Sequence, residues 1–297
     1  MAHVVLLAGG TGGAKLARGL LDELGPDLTV IANTADDLEI YGAHVSPDPD
    51  LITFWLADAI DERGWGLAGD TFAAMDQLRA LGEDVWFNLG DRDLAIGLHR
   101  AMRLAGGARL TQAIDDLRRA FGVPARVLVP TDDPLRTWIT AAGRERAFQE
   151  FMIRDRAQGP IEDVDYRGEA TPAPEAVAAL HAADTIIIGP SNPVLSIDPI
   201  LSVLQHDLHA ADAPVVAVSP FVRGQVLKGP TVDCLRWAGR TLDSDGIVDH
   251  YEGLIDALVA DQRAEHVPTL ETDVELNDPE SRRRVAREVL EFAAALA

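Results

Sequence analysis

Carboxylates, amides and glycines recur in short clusters along this 297-residue chain, each just after a short apolar run. Gly9-Gly10-Thr11-Gly12-Gly13-Ala14-Lys15 follows the run 4–8, and Asn33-Thr34-Ala35-Asp36-Asp37 follows 28–32. Asn88-Leu89-Gly90-Asp91-Arg92-Asp93 follows 85–87, Thr131-Asp132-Asp133 comes just after 126–129, and Gly189-Pro190-Ser191-Asn192-Pro193 follows 185–188. Glycines let backbone N–H groups approach a ligand, and a helix N-terminus attracts anions through unpaired donors and its dipole. The first cluster therefore predicts a phosphate site built from Gly10, Thr11, Gly12, Gly13 and Lys15; a ligand-free tight turn is the alternative. Asp36 and Asp37, with the carboxylates of the proline-stiffened Ser46-Pro47-Asp48-Pro49-Asp50, are hard oxygen donors. Mg²⁺ takes one or two such carboxylates beside waters and phosphate oxygens; the alternative is an exposed acidic turn. Ser191 and Asn192 offer a hydroxyl and an amide to a base, ribose or phosphate, or else form an Asn-Pro turn.

The spacings exclude several chemistries. The glycine cluster lacks Gly-x-x-x-x-Gly-Lys-Ser/Thr, which argues against a P-loop nucleotidase. Gly10 and Gly12 fit a dinucleotide fingerprint, but its third glycine is replaced by Lys15, and Asn33 stands where a ribose-binding acid is expected. No Gly-x-Ser-x-Gly elbow is present, and the eight histidines show no convincing ligand pair.

Elements must hold these clusters together. The runs 4–8, 28–32, 85–87, 126–129, 185–188 and 215–218 are short, continuous and largely β-branched, as buried parallel strands are. Between them lie helical patterns such as Leu110, Ile114, Leu117 and Phe121, and a last helix over 279–296 with Asn277 and Asp278 as cap candidates. Alternation of this kind predicts a single α/β domain over 1–297: a doubly wound, Rossmann-like, mostly parallel sheet flanked by helices. Residues 144–174 break the rhythm and are expected to form an inserted lobe or lid. Loops at the carboxyl ends of strands are where such sheets bind ligands.

A net charge of −22 argues against nucleic acid as a partner. Of the 26 basic residues, only Lys15 and Lys228 are lysine, and both lie near glycine, which suggests a need for a compact ammonium. The single cysteine, Cys234, precludes an intrachain disulfide and suits a reducing compartment. With no secretory segment and no apolar run of about 18 residues, a soluble, cytoplasmic protein without membrane contact is expected.

In order, Gly-Gly-Thr-Gly-Gly-Ala-Lys-Leu (9–16), Asn-Thr-Ala-Asp-Asp (33–37), Ser-Pro-Asp-Pro-Asp (46–50), Leu-Gly-Asp-Arg-Asp-Leu (89–94), Thr-Asp-Asp-Pro (131–134), Phe-Gln-Glu-Phe (148–151), Ile-Gly-Pro-Ser-Asn-Pro (188–193), Val-Ser-Pro (218–220) and Lys-Gly-Pro (228–230) resemble the 2-phospho-L-lactate transferase family of coenzyme F(420) biosynthesis, which includes phosphoenolpyruvate transferases. The resemblance implies a guanosine diphosphate ester of a three-carbon acid as donor and the deazaflavin FO as acceptor. FO's ribityl hydroxyl attacks the phosphorus bearing the acid, and GMP leaves. It also implies Mg²⁺ and a homodimer. Carried over, Asp36 and Asp50 act in catalysis and, with Asp37, hold Mg²⁺. Asp50, Asn88 and Arg92 face FO, while Gly10 to Gly13, Lys15, Ser191 and Asn192 hold the nucleotide. Leu51 and Arg223 depart from the family pattern. A nucleotide-sugar-binding regulator of related fold is the second reading, and an NAD-dependent oxidoreductase the third.

Overall fold

The computed structural model describes residues 2–227 and 229–296. Its centre is a seven-stranded sheet of order β14-β13-β10-β9-β1-β2-β5, parallel throughout. These strands are β1 (Val4–Ala8), β2 (Leu28–Ala32), β5 (Arg126–Leu128), β9 (Thr185–Ile188), β10 (Val215–Val218), β13 (Ala257–Ala260) and β14 (Thr269–Glu271). Both faces are covered, so β1 and β2 are buried at every position, which is why they read as unbroken apolar runs. Alternate residues feed two cores. Val4, Leu6 and Ala8 pack with α1 (Gly10–Leu24), α2 (Pro47–Leu56), α5 (Leu110–Ala120) and the C-terminal helix Pro279–Ala294. Val5 and Leu7 pack with α7 (Pro174–His181) and α8 (Asp198–His209) on the other face. The doubly wound, Rossmann-like arrangement expected from the sequence is present.

Chain order runs outward from β1 through β2 to β5, then returns to β9 and runs outward the other way. The reversal lies between β1 and β9, where the loops after two adjacent strands diverge and leave a crevice. The glycine cluster follows β1 and Gly189–Asn192 follows β9, so both flank this point.

Two antiparallel additions stand beside the sheet. A hairpin of β3 (Leu38–Ile40) and β4 (Ala43–Val45) follows the Asp36-Asp37 turn. The strands β6 (Arg136–Ala141), β7 (Arg144–Ala147) and β8 (Ile161–Arg167) form a three-stranded sheet whose first strand precedes the expected boundary at residue 144. A further two-residue pair, β11 (Phe221–Val222) and β12 (Gln225–Val226), completes the strands.

One expected strand is absent: 85–87 is irregular, with Val85 N–H donating to Glu83 O and Trp86 N–H to Asp84 O. Phe87 N–H donates to the Tyr41 hydroxyl, so local and side-chain acceptors replace a ladder. The Asn88–Asp93 cluster therefore does not follow a sheet strand; it leads into α4 (Asp91–Ala105), with Gly90 as N-cap. Lys228 lies outside the described residues. Among the described residues, no helix is long and apolar enough to cross a membrane.

Candidate active site

The glycine cluster forms the turn from β1 into α1. Gly9 caps the helix without a side-chain bond, and its N–H donates to Ser191 Oγ at 3.1 Å, tying the β1 and β9 loops across the switch point. Gly10 has φ of +63°, a left-handed conformation that glycine adopts without strain, with open space beside it. At Gly12 a Cβ would collide with the Pro190 carbonyl oxygen. Close packing, as much as ligand approach, thus demands glycine here. The first turn of α1 carries no acidic side chain, which leaves the positive end of the dipole unopposed by its own residues. Lys15 Nζ lies 3.5 Å from Asn277 Oδ1, just before the C-terminal helix. Thr11 is half-buried in the same turn.

Opposite, the loop after β2 and the first turn of α2 bring together four buried carboxylates: Asp36, Asp37, Asp48 and Asp50. Asn33 organises the first group. Its amide donates to Asp36 Oδ1 and to Asp48 Oδ2, both at 3.1 Å, and its Oδ1 accepts from Ala35 N–H. Asp48 Oδ1 accepts the Gly10 N–H at 2.6 Å, so this carboxylate joins the glycine turn to the acidic cluster. Asp36 Oδ2 accepts from Gln149 Nε2 at 3.2 Å. Burial, then repulsion from Asp48 and Asp37, pushes the Asp36 carboxyl well above the usual range. Burial likewise pushes Asp48 up to about 6, against the lowering effect of Gly10 and Asn33. Asp37 Oδ2 accepts from Ser46 Oγ at 2.6 Å and from His44 Nε2 at 3.1 Å, while Asp37 Oδ1 is buried with no partner among the described residues.

Asp50 has a different setting. Both of its oxygens accept from Arg100, a fully buried guanidinium on α4 that also donates to His44 O at 2.9 Å. Burial still leaves the Asp50 carboxyl above its ordinary value. Asp93, in the first turn of α4, is pushed up to about 7 by burial and then by Asp50 and Asp70.

Beside Asp36 and Asp37 opens a cavity of about 240 Å³. Its walls include Trp86, Trp138 and Phe148, with Arg136 and Gln149 as polar groups. Aromatic and polar side chains thus share the lining, as in sites for small ligands.

Several residues singled out from sequence sit elsewhere or are engaged. Asn88 is exposed and accepts from Arg79 at 2.6 Å; Arg92 is exposed and donates to Ala68 O at 3.1 Å. Ser191 lies at the switch point, but the Asn192 side-chain Oδ1 accepts from Val194 and Leu195 N–H, capping a π-helical turn. Leu51 packs against the core, and Arg223 makes an exposed ion pair with Glu275 at 3.0 Å. Sequence reasoning took Asp48 only as one carboxylate of a stiff acidic segment and did not single out Arg100, His44 or Gln149. Asp48 stood in a quoted motif; Arg100 carried no signal, because its partner lies 50 residues away.

A family model described as 2-phospho-L-lactate transferase CofD matches residues 4–291. The chain is 37% identical over 306 residues to the 2-phospho-L-lactate transferase of Methanopyrus kandleri, covering 99% of this chain and 98% of that one. It is 35% identical over 317 residues to the phosphoenolpyruvate transferase of Thermobifida fusca, covering 99% and 98%. The crystal structure of protein BH3568 from Bacillus halodurans shares the fold, with a TM-score of 0.61, 18% identity, and 97% and 99% of the two chains covered. With a family model spanning nearly all of the chain and relatives this similar along their whole length, the protein belongs to the 2-phospho-L-lactate transferase CofD family.

Proposed function

We propose that this chain moves a phospho-three-carbon-acid group, 2-phospholactyl or phosphoenolpyruvyl, from a guanosine diphosphate ester to the ribityl hydroxyl of FO. The observation that carries the reading is the juxtaposition of three parts. A helix N-terminus flanks the switch point, a cluster of buried carboxylates faces it, and an aromatic cavity opens on that cluster. The nucleotide would lie along Gly10–Lys15 and Ser191, and the deazaflavin between Trp86, Trp138 and Phe148. In the reaction the ribityl oxygen forms a bond to the phosphorus bearing the acid. The bond from that phosphorus to the GMP oxygen breaks, and GMP departs with the electron pair. The hydroxyl proton goes to Asp36, whose raised proton affinity and place on the cavity wall fit the task. Asp50, fixed by Arg100, orients the acceptor end of the site.

The residues present fit a divalent cation. Among the described residues, no three His, Cys, Asp or Glu side chains form a ready-made cage. Mg²⁺ needs none, since waters and phosphate oxygens complete its shell. Asp37 has a buried oxygen without a partner, and the mutual repulsion of Asp36, Asp37 and Asp48 is relieved by positive charge. Asp37 and Asp48, beside Asp36, would hold the ion. When bound, it would neutralise charge developing on the phosphate oxygens. Phosphoryl transfer needs such neutralisation and positioning more than a protein nucleophile. The reading brings a homodimer with it.

Calorimetric titration tests it against the regulator reading. FO binding that strengthens with GDP and Mg²⁺ is expected; tight binding of a UDP-sugar with no affinity for FO would contradict it.

A further inference from the structure

The Asp37 carboxylate is held unequally. Its Oδ2 accepts two hydrogen bonds, from Ser46 and His44, while Oδ1 is buried without a hydrogen-bond partner among the described residues. An ionised carboxylate only accepts, so His44 donates through Nε2, and this fixes the orientation of both groups. The histidine is itself fixed. Its backbone carbonyl accepts from Arg100, and at Gly97 a Cβ would crowd Ala43 at 2.9 Å, so α4 and β4 pack without slack. Its Nδ1 lies 3.2 Å from Glu39 Oε1, which accepts from Arg136 at 2.8 Å. Arg136 in turn lines the aromatic cavity.

We propose that His44 is a positioning residue, which with Ser46 occupies Asp37 Oδ2 and so presents Asp37 Oδ1 to the divalent cation. Such partners behind a ligating carboxylate orient it and set its affinity for metal. Glu39, paired with Arg136 of the aromatic cavity, lies against the same histidine, so the cation and acceptor subsites share one polar wall. The inference rests on the transferase reading for the identity of the cation, but its geometry does not depend on the substrate.

Mn²⁺ serves as probe, counted as bound ion by electron paramagnetic resonance on the full chain with saturating GDP. His44→Ala is expected to weaken Mn²⁺ about 10- to 100-fold, while GDP affinity without metal stays within about twofold of wild type. His44→Gln, whose amide can donate to Oδ2, is expected to recover most of the loss. Ser46→Ala is expected to show a smaller loss in the same direction. A merely structural histidine would lower thermal stability in both His44 variants without separating their metal affinities. The proposal is overturned if His44→Ala binds Mn²⁺ like wild type, or if His44→Gln is as weak as His44→Ala. Wild-type protein that binds Mn²⁺ but releases no GMP from the donor would sink the transferase reading alone, and the graded Mn²⁺ losses would still support His44.

Discussion

At the scale of the residue, two carboxylates on α2 behave oppositely. Asp50 is paired in the interior with Arg100, and breaking such a pair strands a buried charge. Asp50→Asn is therefore expected to cost about 3–5 kcal/mol of stability as well as activity; a loss of turnover with unchanged urea denaturation would contradict that role. Asp48 has no cationic partner among the described residues. Its carboxyl is pushed from 3.8 to about 6, so between those values the folded chain keeps a proton that the unfolded chain has lost. Stability therefore falls as pH rises through this window, by an amount on the order of 3 kcal/mol at 1.36 kcal/mol per unit. Asp36 adds to the same trend. Denaturation at pH 4.5 and pH 7 should show the fall in wild type and a shallower one in Asp48→Asn; equal slopes would show that Asp48 is not the group responsible.

At the scale of the element, α1 meets the loop after β9 at Gly12, where any side chain strikes the Pro190 carbonyl. Gly12→Ala is expected to destabilise by about 1–3 kcal/mol, as overpacking does, and to weaken GDP binding; unchanged affinity for GDP would separate the turn from the nucleotide site. On the acceptor side, Trp86→Ala should raise the KM for FO about tenfold, roughly the 1–1.5 kcal/mol of an aromatic contact, and leave GDP affinity unchanged. These positions differ in how far sequence shows them. The strands β1, β2, β9 and β10 were legible because burial on both faces leaves only apolar residues. Residues 85–87 carried the same composition, yet Trp86 serves a cavity wall, and a three-residue run cannot tell those uses apart. The strand β13 and the edge strand β14 beside it were missed: Ala257–Ala260 has one β-branched residue, and Thr269–Glu271 is only three residues long. The acidic turns were visible as types, but the division of labour among them was not. Arg100 lies in another helix and takes Asp50 out of the free carboxylates.

At the scale of the whole molecule, the switch point between β1 and β9 gathers loops that are far apart in the chain. It sets the glycine turn against the acidic cluster, with the antiparallel additions walling the aromatic cavity. Under the proposed function, a chain of net charge −22 would bind its anionic donor through local positive centres: the α1 N-terminus, Lys15 and a divalent cation. The central claim is transfer of the acid-bearing phosphoryl group to FO, and the nucleotide released reports it directly. With FO, Mg²⁺ and the guanosine diphosphate ester of 2-phospholactate or phosphoenolpyruvate, chromatography with mass detection should show GMP and an FO phosphodiester appearing in equal amounts. Release of GDP, or no new deazaflavin product with either donor, would contradict the account.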